Sequence, residues 1–249
     1  MFVNAISWNR WALFFSAVVA LAAASQAAWA NTTSVFSPDV NEGDRMWEYR
    51  TSFEPNDGGQ EDVFAHRLHY QHAINGQSRL RLIGLQSDSG GDLEFRYARL
   101  EYQYQYLEDE DAGWDSALRF ELQLAEGDNL PHRFRVAWTG KIDATDRWQL
   151  RANLITGREF HSGADSGISV ETRWQATYAL GGGTRIGIES FNDFNSTDDF
   201  GSFNEQEHQV GPVAKLKLGR GWSVDFSYLF GLSDEAPDEN LRMQLKYNL

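Results

Sequence analysis

From residue 47 to residue 249 the chain repeats one pattern about twelve times: segments of roughly ten residues in which apolar and polar side chains alternate. "LEFRYARLEYQYQY" (93–106), "WQLRANLIT" (148–156) and the terminal "ENLRMQLKYNL" (239–249) are clear cases. In the last, Leu241, Met243, Leu245, Tyr247 and Leu249 fall on one face, and Arg242, Gln244, Lys246 and Asn248 fall on the other. A period of two belongs to an extended strand, because successive side chains leave opposite faces. Clusters of Gly, Asn, Asp and Pro bound each segment and supply turns, and none of the segments has a helical period. The chain is therefore expected to be all-β. A terminal strand this regular predicts that its edges and its apolar face are covered.

The first thirty residues read differently. Arg10 precedes the apolar core "ALFFSAVVALAAA", and Ala28-Trp29-Ala30 offers the small residues of a cleavage site. Residues 1–30 are expected to be a signal peptide and residues 31–249 a single β domain, which makes the protein an exported one. With no cysteine, that domain cannot rest on disulfides. Mean hydropathy is −0.52, and beyond residue 30 no run of 18 apolar residues occurs. These values describe a water-soluble protein unless the membrane is crossed by alternating strands, whose average hydropathy stays low while one face is wholly apolar.

Loop lengths favour the membrane. Counted from the first segment, the even-numbered junctions are compact ("NGQ", "EDEDAG", "DATD", "GGG", "GRG"), whereas the odd-numbered ones are longer, up to "NDFNSTDDFGSFNEQ". Trp47, Trp114, Trp148 and Trp222 start odd segments and Trp138 lies near the end of an even one, so all five fall on the short-turn rim. Amphipathic rings at headgroup depth form such a girdle. On these features the chain resembles the bacterial outer-membrane β-barrels, an antiparallel up-and-down transmembrane barrel of about twelve strands, of the size of the small porin and transport barrels. The resemblance implies an outer-membrane location in a Gram-negative cell, contact with outer-membrane lipids and lipopolysaccharide, and recognition of the last strand by the barrel-assembly machinery. Tyr247 fits that signal, but the final residue is Leu249 where the class usually has an aromatic. A secreted β-sandwich would alternate in the same way with its apolar face turned inward.

If the apolar faces meet lipid, the polar faces line a lumen. The strand at 93–106 changes phase, which predicts a bulge near Ala98. Parity then turns Arg50, Arg67, Arg81, Arg96, Arg99, Arg119, Arg135, Arg151, Arg173, Lys215, Lys217, Arg242 and Lys246 inward. The inward acids are Glu48, Glu94, Glu101, Glu121, Glu171 and Asp225. The surplus acids of a chain with net charge −14 sit in the longer loops, among them Asp198, Asp199, Asp234 and Glu235. A net-basic lumen favours a porin-like channel for small polar or anionic solutes, like the acidic-oligosaccharide porins in architecture. The alternative is a non-conducting barrel filled by Arg and Glu pairs.

Other chemistry is poorly supported. His66, His69 and His72 alternate sides of a strand and cannot gather one metal. "LGGGT" lacks the lysine and helix of a phosphate loop and is expected to be a tight turn. His161, Ser162 and Asp165 form the best local group for an enzymatic barrel, yet residues this close in one loop usually just solvate it. No catalytic residue, metal, cofactor or nucleic-acid partner is expected. The loop at 192–206, with Phe194, Phe200 and Phe203, is a candidate constriction or cap.

Overall fold

The computed structural model describes residues 31–249 except 56–61, 90–91, 110 and 128–129; the expected signal peptide lies outside the described residues. Twelve strands follow one another: β1 (Arg45–Glu54), β2 (Val63–Ala73), β3 (Ser78–Ser89), β4 (Glu94–Asp109), β5 (Trp114–Ala125), β6 (His132–Asp143), β7 (Trp148–Phe160), β8 (Ser169–Gly181), β9 (Thr184–Ser196), β10 (Glu207–Gly219), β11 (Trp222–Gly231) and β12 (Glu239–Asn248). Each pairs antiparallel with the next, and β12 returns to β1, so the sheet closes into a barrel without an edge. Trp47 faces Tyr247 and Phe53 faces Leu241 across the seam, and the Leu249 N–H donates to the Arg45 carbonyl at 2.9 Å. The regular last strand is covered in this way: β1 and β11 take its edges, and its apolar face lies outside.

The alternation fixes which side is which. Leu82, Leu100 and Leu122 stand in register on β3, β4 and β5 and are 58%, 44% and 40% exposed. One residue along from these, Arg81, Glu101, Glu121 and Arg135 line up across β3 to β6, and all four are buried. An apolar exterior over a charged interior is the inverse of a soluble sandwich and suits a wall bathed in hydrocarbon. The short turns include 182–183 and 220–221, and the longer loops include 161–168 and 197–206 on the opposite rim. At 182–183 both residues are Gly with φ of +60° and +79°, as a two-residue hairpin turn requires.

The phase change in β4 lies two residues before its expected place. Leu85 pairs with Tyr97 while Gln86 pairs with Phe95, so Arg96 is the extra residue and Tyr97 turns inward to be 3% exposed. Tyr97 is amphipathic, and its ring fits the lumen because the guanidinium carbon of Arg99 lies 4.9 Å from the ring centroid.

The interior is not empty. Residues 31–44 precede β1, enter the barrel and cross it lengthwise, with no helix or ladder up to a turn at 41–44 in which the Asp44 N–H donates to the Asn41 carbonyl. Its outer end meets Glu54 and Asn240, near the long-loop rim. Its other end, at Asp44, accepts the Ala73 N–H at the short-turn rim. At about 3.3 Å per residue, the ten residues before the turn reach at most roughly 33 Å, enough to traverse a hydrocarbon core of about 30 Å.

Candidate functional site

The lumen gathers buried charge of both signs, and two systems of contacts build it. The first is an ion-paired wall. Glu121 accepts from Arg135 at 2.6 Å and Arg99 at 3.2 Å, with Arg119 at 3.7 Å. Glu101, which faces Glu121 directly across the β4–β5 ladder, pairs with Arg119, Arg81 and Arg99. Two carboxylates placed opposite each other repel, and the guanidinium groups around them offset that repulsion. Glu171 takes Arg135 at 3.0 Å and Arg173 at 2.7 Å, Glu48 takes Arg50 at 2.8 Å, and Glu189 takes Arg242. Lys246 reaches Asp225 at 2.6 Å, and Lys215 donates to Gln175 at 2.7 Å.

Not every expected wall residue is enclosed. Glu94 and Lys217, near the ends of their strands, are exposed at the rims. Arg96 sits on the bulge and donates to Ser87 Oγ at 2.9 Å. Arg67 is buried with its guanidinium carbon 5.8 Å from the Tyr97 ring, and Arg151 lines the same cavity as Lys215 and Asp225. His69 is buried 3.9 Å from Glu48, while His66 stands on the other face of β2 beside Tyr49.

The second system is the lumenal segment and its receptors. Phe36 is the centre of it: the guanidinium carbons of Arg119 and Arg173 lie 3.6 Å and 4.6 Å from its ring centroid, and Ala137 and Ile155 complete the pocket. Val35 enters a second apolar notch with Phe191 and Leu229. The backbone is held by wall side chains. Arg50, Arg242 and Arg173 donate to the carbonyls of Thr32, Thr33 and Ser34, while Gln103 donates to that of Pro38. Gln105 Oε1 accepts the Val40 N–H at 2.7 Å. Near the short-turn end, Lys141 joins Asp39 and Asp115, with Asp143 at 3.7 Å.

Several arginines expected only to line a pore therefore bind chain carbonyls and an aromatic ring. The segment leaves a cavity of about 390 Å³ beside it, lined among others by Glu48, Lys215, Asp225 and Lys246 and reaching Met46 and Asn248 at the short-turn rim.

Strand parity does not single out Phe36, Asn153, Gln103 or Lys141, nor the segment that they hold. A signal is present: Ala137, Ile155, Phe191 and Leu229 are apolar on the mostly polar inward parity, and the first two cluster with Phe36, the last two with Val35.

The rims carry the remaining candidates. Trp47, Trp148 and Trp222 pack against Tyr70, Tyr178 and Tyr247 with centroids 4.9, 5.1 and 4.6 Å apart. Trp114 is also exposed there, whereas Trp138 donates to Ser116 Oγ at 2.8 Å. In the loop at 192–206, Phe194 and Phe203 pack on His208 with centroids 5.5 and 4.4 Å away, so the loop folds over its own hairpin. Ser202 N–H donates to the Glu205 carboxylate and holds it below its usual range. His161 stacks on His132 at 4.9 Å, and Asp165 donates its N–H to Glu159. Among the described residues no cluster of potential ligands is placed to hold a metal ion.

Solved structures share this architecture. The COG4313 outer membrane channel from Pseudomonas putida F1 aligns over 87% of this chain and 100% of its own, with 12% identity and a TM-score of 0.66. The NanC porin aligns over 82% and 100% with 10% identity and a TM-score of 0.62, and the KdgM porin over 82% and 99% with 14% identity and a TM-score of 0.54. At these identities the likeness establishes the fold, that of outer-membrane channels and porins. No curated protein matches the sequence. A family described as "Putative MetA-pathway of phenol degradation" matches residues 42–247.

Proposed function

The chain belongs to that phenol-degradation family, and from this premise we propose that it is an outer-membrane channel gated by its own residues 31–44 and used by small aromatic anions. The observation that carries the reading is the seat of Phe36 between Arg119 and Arg173. A guanidinium face attracts an aromatic ring by about 0.5–2 kcal/mol, and an anionic ring adds charge attraction that Phe36 lacks. A phenolate or an aromatic carboxylate therefore competes for the seat and displaces the segment it anchors. The family description supports aromatic solutes, and the channel and porin neighbours support transport over catalysis.

The remaining parts follow from the same reading. Outer-membrane lipid and lipopolysaccharide cover the apolar exterior, and the barrel-assembly machinery reads the strand that ends in Tyr247 and Leu249. The wall arginines and lysines not matched by carboxylates favour anions along the path. The test is a planar-bilayer recording of the refolded protein with benzoate or acetate on one side at fixed ionic strength. Benzoate is expected to raise open probability in a concentration-dependent manner, and acetate is not. Equal responses to the two anions would overturn the aromatic reading.

A further inference from the structure

Nearly every buried acid of the lumenal wall has a cation, and one group does not. Glu48, Glu101, Glu121, Glu171, Glu189 and Asp225 all have Arg or Lys within ion-pair distance. At the outer end of the lumen, Glu54 of β1, Asp193 of β9 and Glu207 of β10 stand close together. Asp193 and Glu207 are paired across their ladder, and Glu207 feels the charges of both Asp193 and Glu54. Among the described residues none of the three has a salt bridge. Glu54 is only 4% exposed and feels Arg242 without an ion-pair contact, and a buried carboxylate not directly paired is costly.

The group seated among them is the start of the lumenal segment. Asn31 donates its backbone N–H to Glu54 Oε1 at 2.8 Å, and the Glu207 carboxylate bonds the Asn31 side chain. A second observation points to a missing donor. Asn240 is fully buried and gives its amide nitrogen to Glu54 Oε1 at 2.5 Å and to the Asn31 carbonyl at 3.3 Å, yet its Oδ1 has no hydrogen-bond partner. A backbone amide offers one proton, which Glu54 already takes. An ammonium offers three protons and a full positive charge.

We propose that this pocket binds the α-ammonium of Asn31 freed by cleavage after Ala30. Glu54, Glu207 and Asp193 supply the counter-charge, and Asn240 Oδ1 accepts a further N–H hydrogen bond from it. The inference rests on cleavage at that bond and is independent of which solute the channel takes. It assigns a role to processing: only the cleaved chain carries the charge that anchors the outer end of the lumenal segment, so the segment seats after the precursor has been cut.

The experiment uses the protein purified from outer membranes. N-terminal sequencing identifies the first residue, and competitive labelling with a trace amine-reactive reagent follows the α-amine from about pH 6 to pH 11. Ion pairing moves the labelling midpoint above the ordinary α-amino value of about 8, which slows reaction at that pH by about tenfold or more; burial without a counter-charge moves the midpoint down. The expected result is Asn31 as first residue, a raised midpoint, and its return in Glu54→Gln with Glu207→Gln. If the double variant does not fold, Glu207→Gln alone is expected to return part of the shift. A second variant, with one Ala inserted between Ala30 and Asn31, displaces the ammonium and is also expected to lose the shift. A different first residue, or a midpoint at or below the ordinary value in the parent protein, would overturn the proposal.

Discussion

Asn153 holds Phe36 by both ends of its peptide: Oδ1 accepts the Phe36 N–H at 2.7 Å, and Nδ2 donates to the Phe36 carbonyl at 3.3 Å. A side-chain amide is thus used as a strand partner for one residue in the middle of a barrel. Replacing it with Ala removes both bonds and leaves a buried N–H without an acceptor, at about 1–3 kcal/mol. Because the chain has no cysteine, Ser37→Cys provides a clean reporter. Its thiol is expected to react roughly ten- to a hundredfold faster when Asn153→Ala is added; an unchanged rate would mean that the segment is held elsewhere.

Glu121 carries a larger share of the wall. With Arg135, Arg99 and Arg119 around it and only 1% exposure, its loss leaves several buried guanidinium groups short of charge. Glu121→Gln is expected to destabilise the barrel by about 3–5 kcal/mol, read as a lower midpoint in urea unfolding from detergent micelles. The same change at exposed Glu94 should cost within about 0.5 kcal/mol.

Gly211 tests the geometry of the wall itself. A Cβ there would lie 1.8 Å from the Tyr228 carbonyl oxygen on β11, an overlap that only backbone movement can relieve. Gly211→Ala is expected to reduce the fraction that migrates as folded barrel on unheated gels. At Gly43, where a Cβ meets nothing within 4 Å, Ala is expected to leave the barrel intact, although the positive φ of 82° adds local strain.

Much of this was legible because a barrel in lipid obeys one rule, period two, along nearly its whole length. The alternation marks twelve strands and the closing role of β12, whereas Glu94 and Lys217, assigned inward by parity, are exposed at the rims. Two things escaped it. The bulge lies at Arg96, two residues before Ala98, because Tyr97 looks apolar in a pattern count while its ring is stabilised in the lumen by Arg99 and Arg67. The lumenal segment has no periodicity, since its backbone is bonded by side chains and not by a ladder. Its trace in the sequence is indirect: Ile155, Phe191 and Leu229, apolar where polar residues are due, mark the places where Phe36 and Val35 dock.

Gating of the channel by residues 31–44 is read out by single-channel conductance. The refolded protein is to be compared in planar bilayers with a variant lacking residues 31–40, under a salt gradient. Brief, small openings are expected for the parent, and sustained, larger, anion-preferring steps for the variant. A variant that inserts and gives the same conductance as the parent, or none, would contradict gating by this segment.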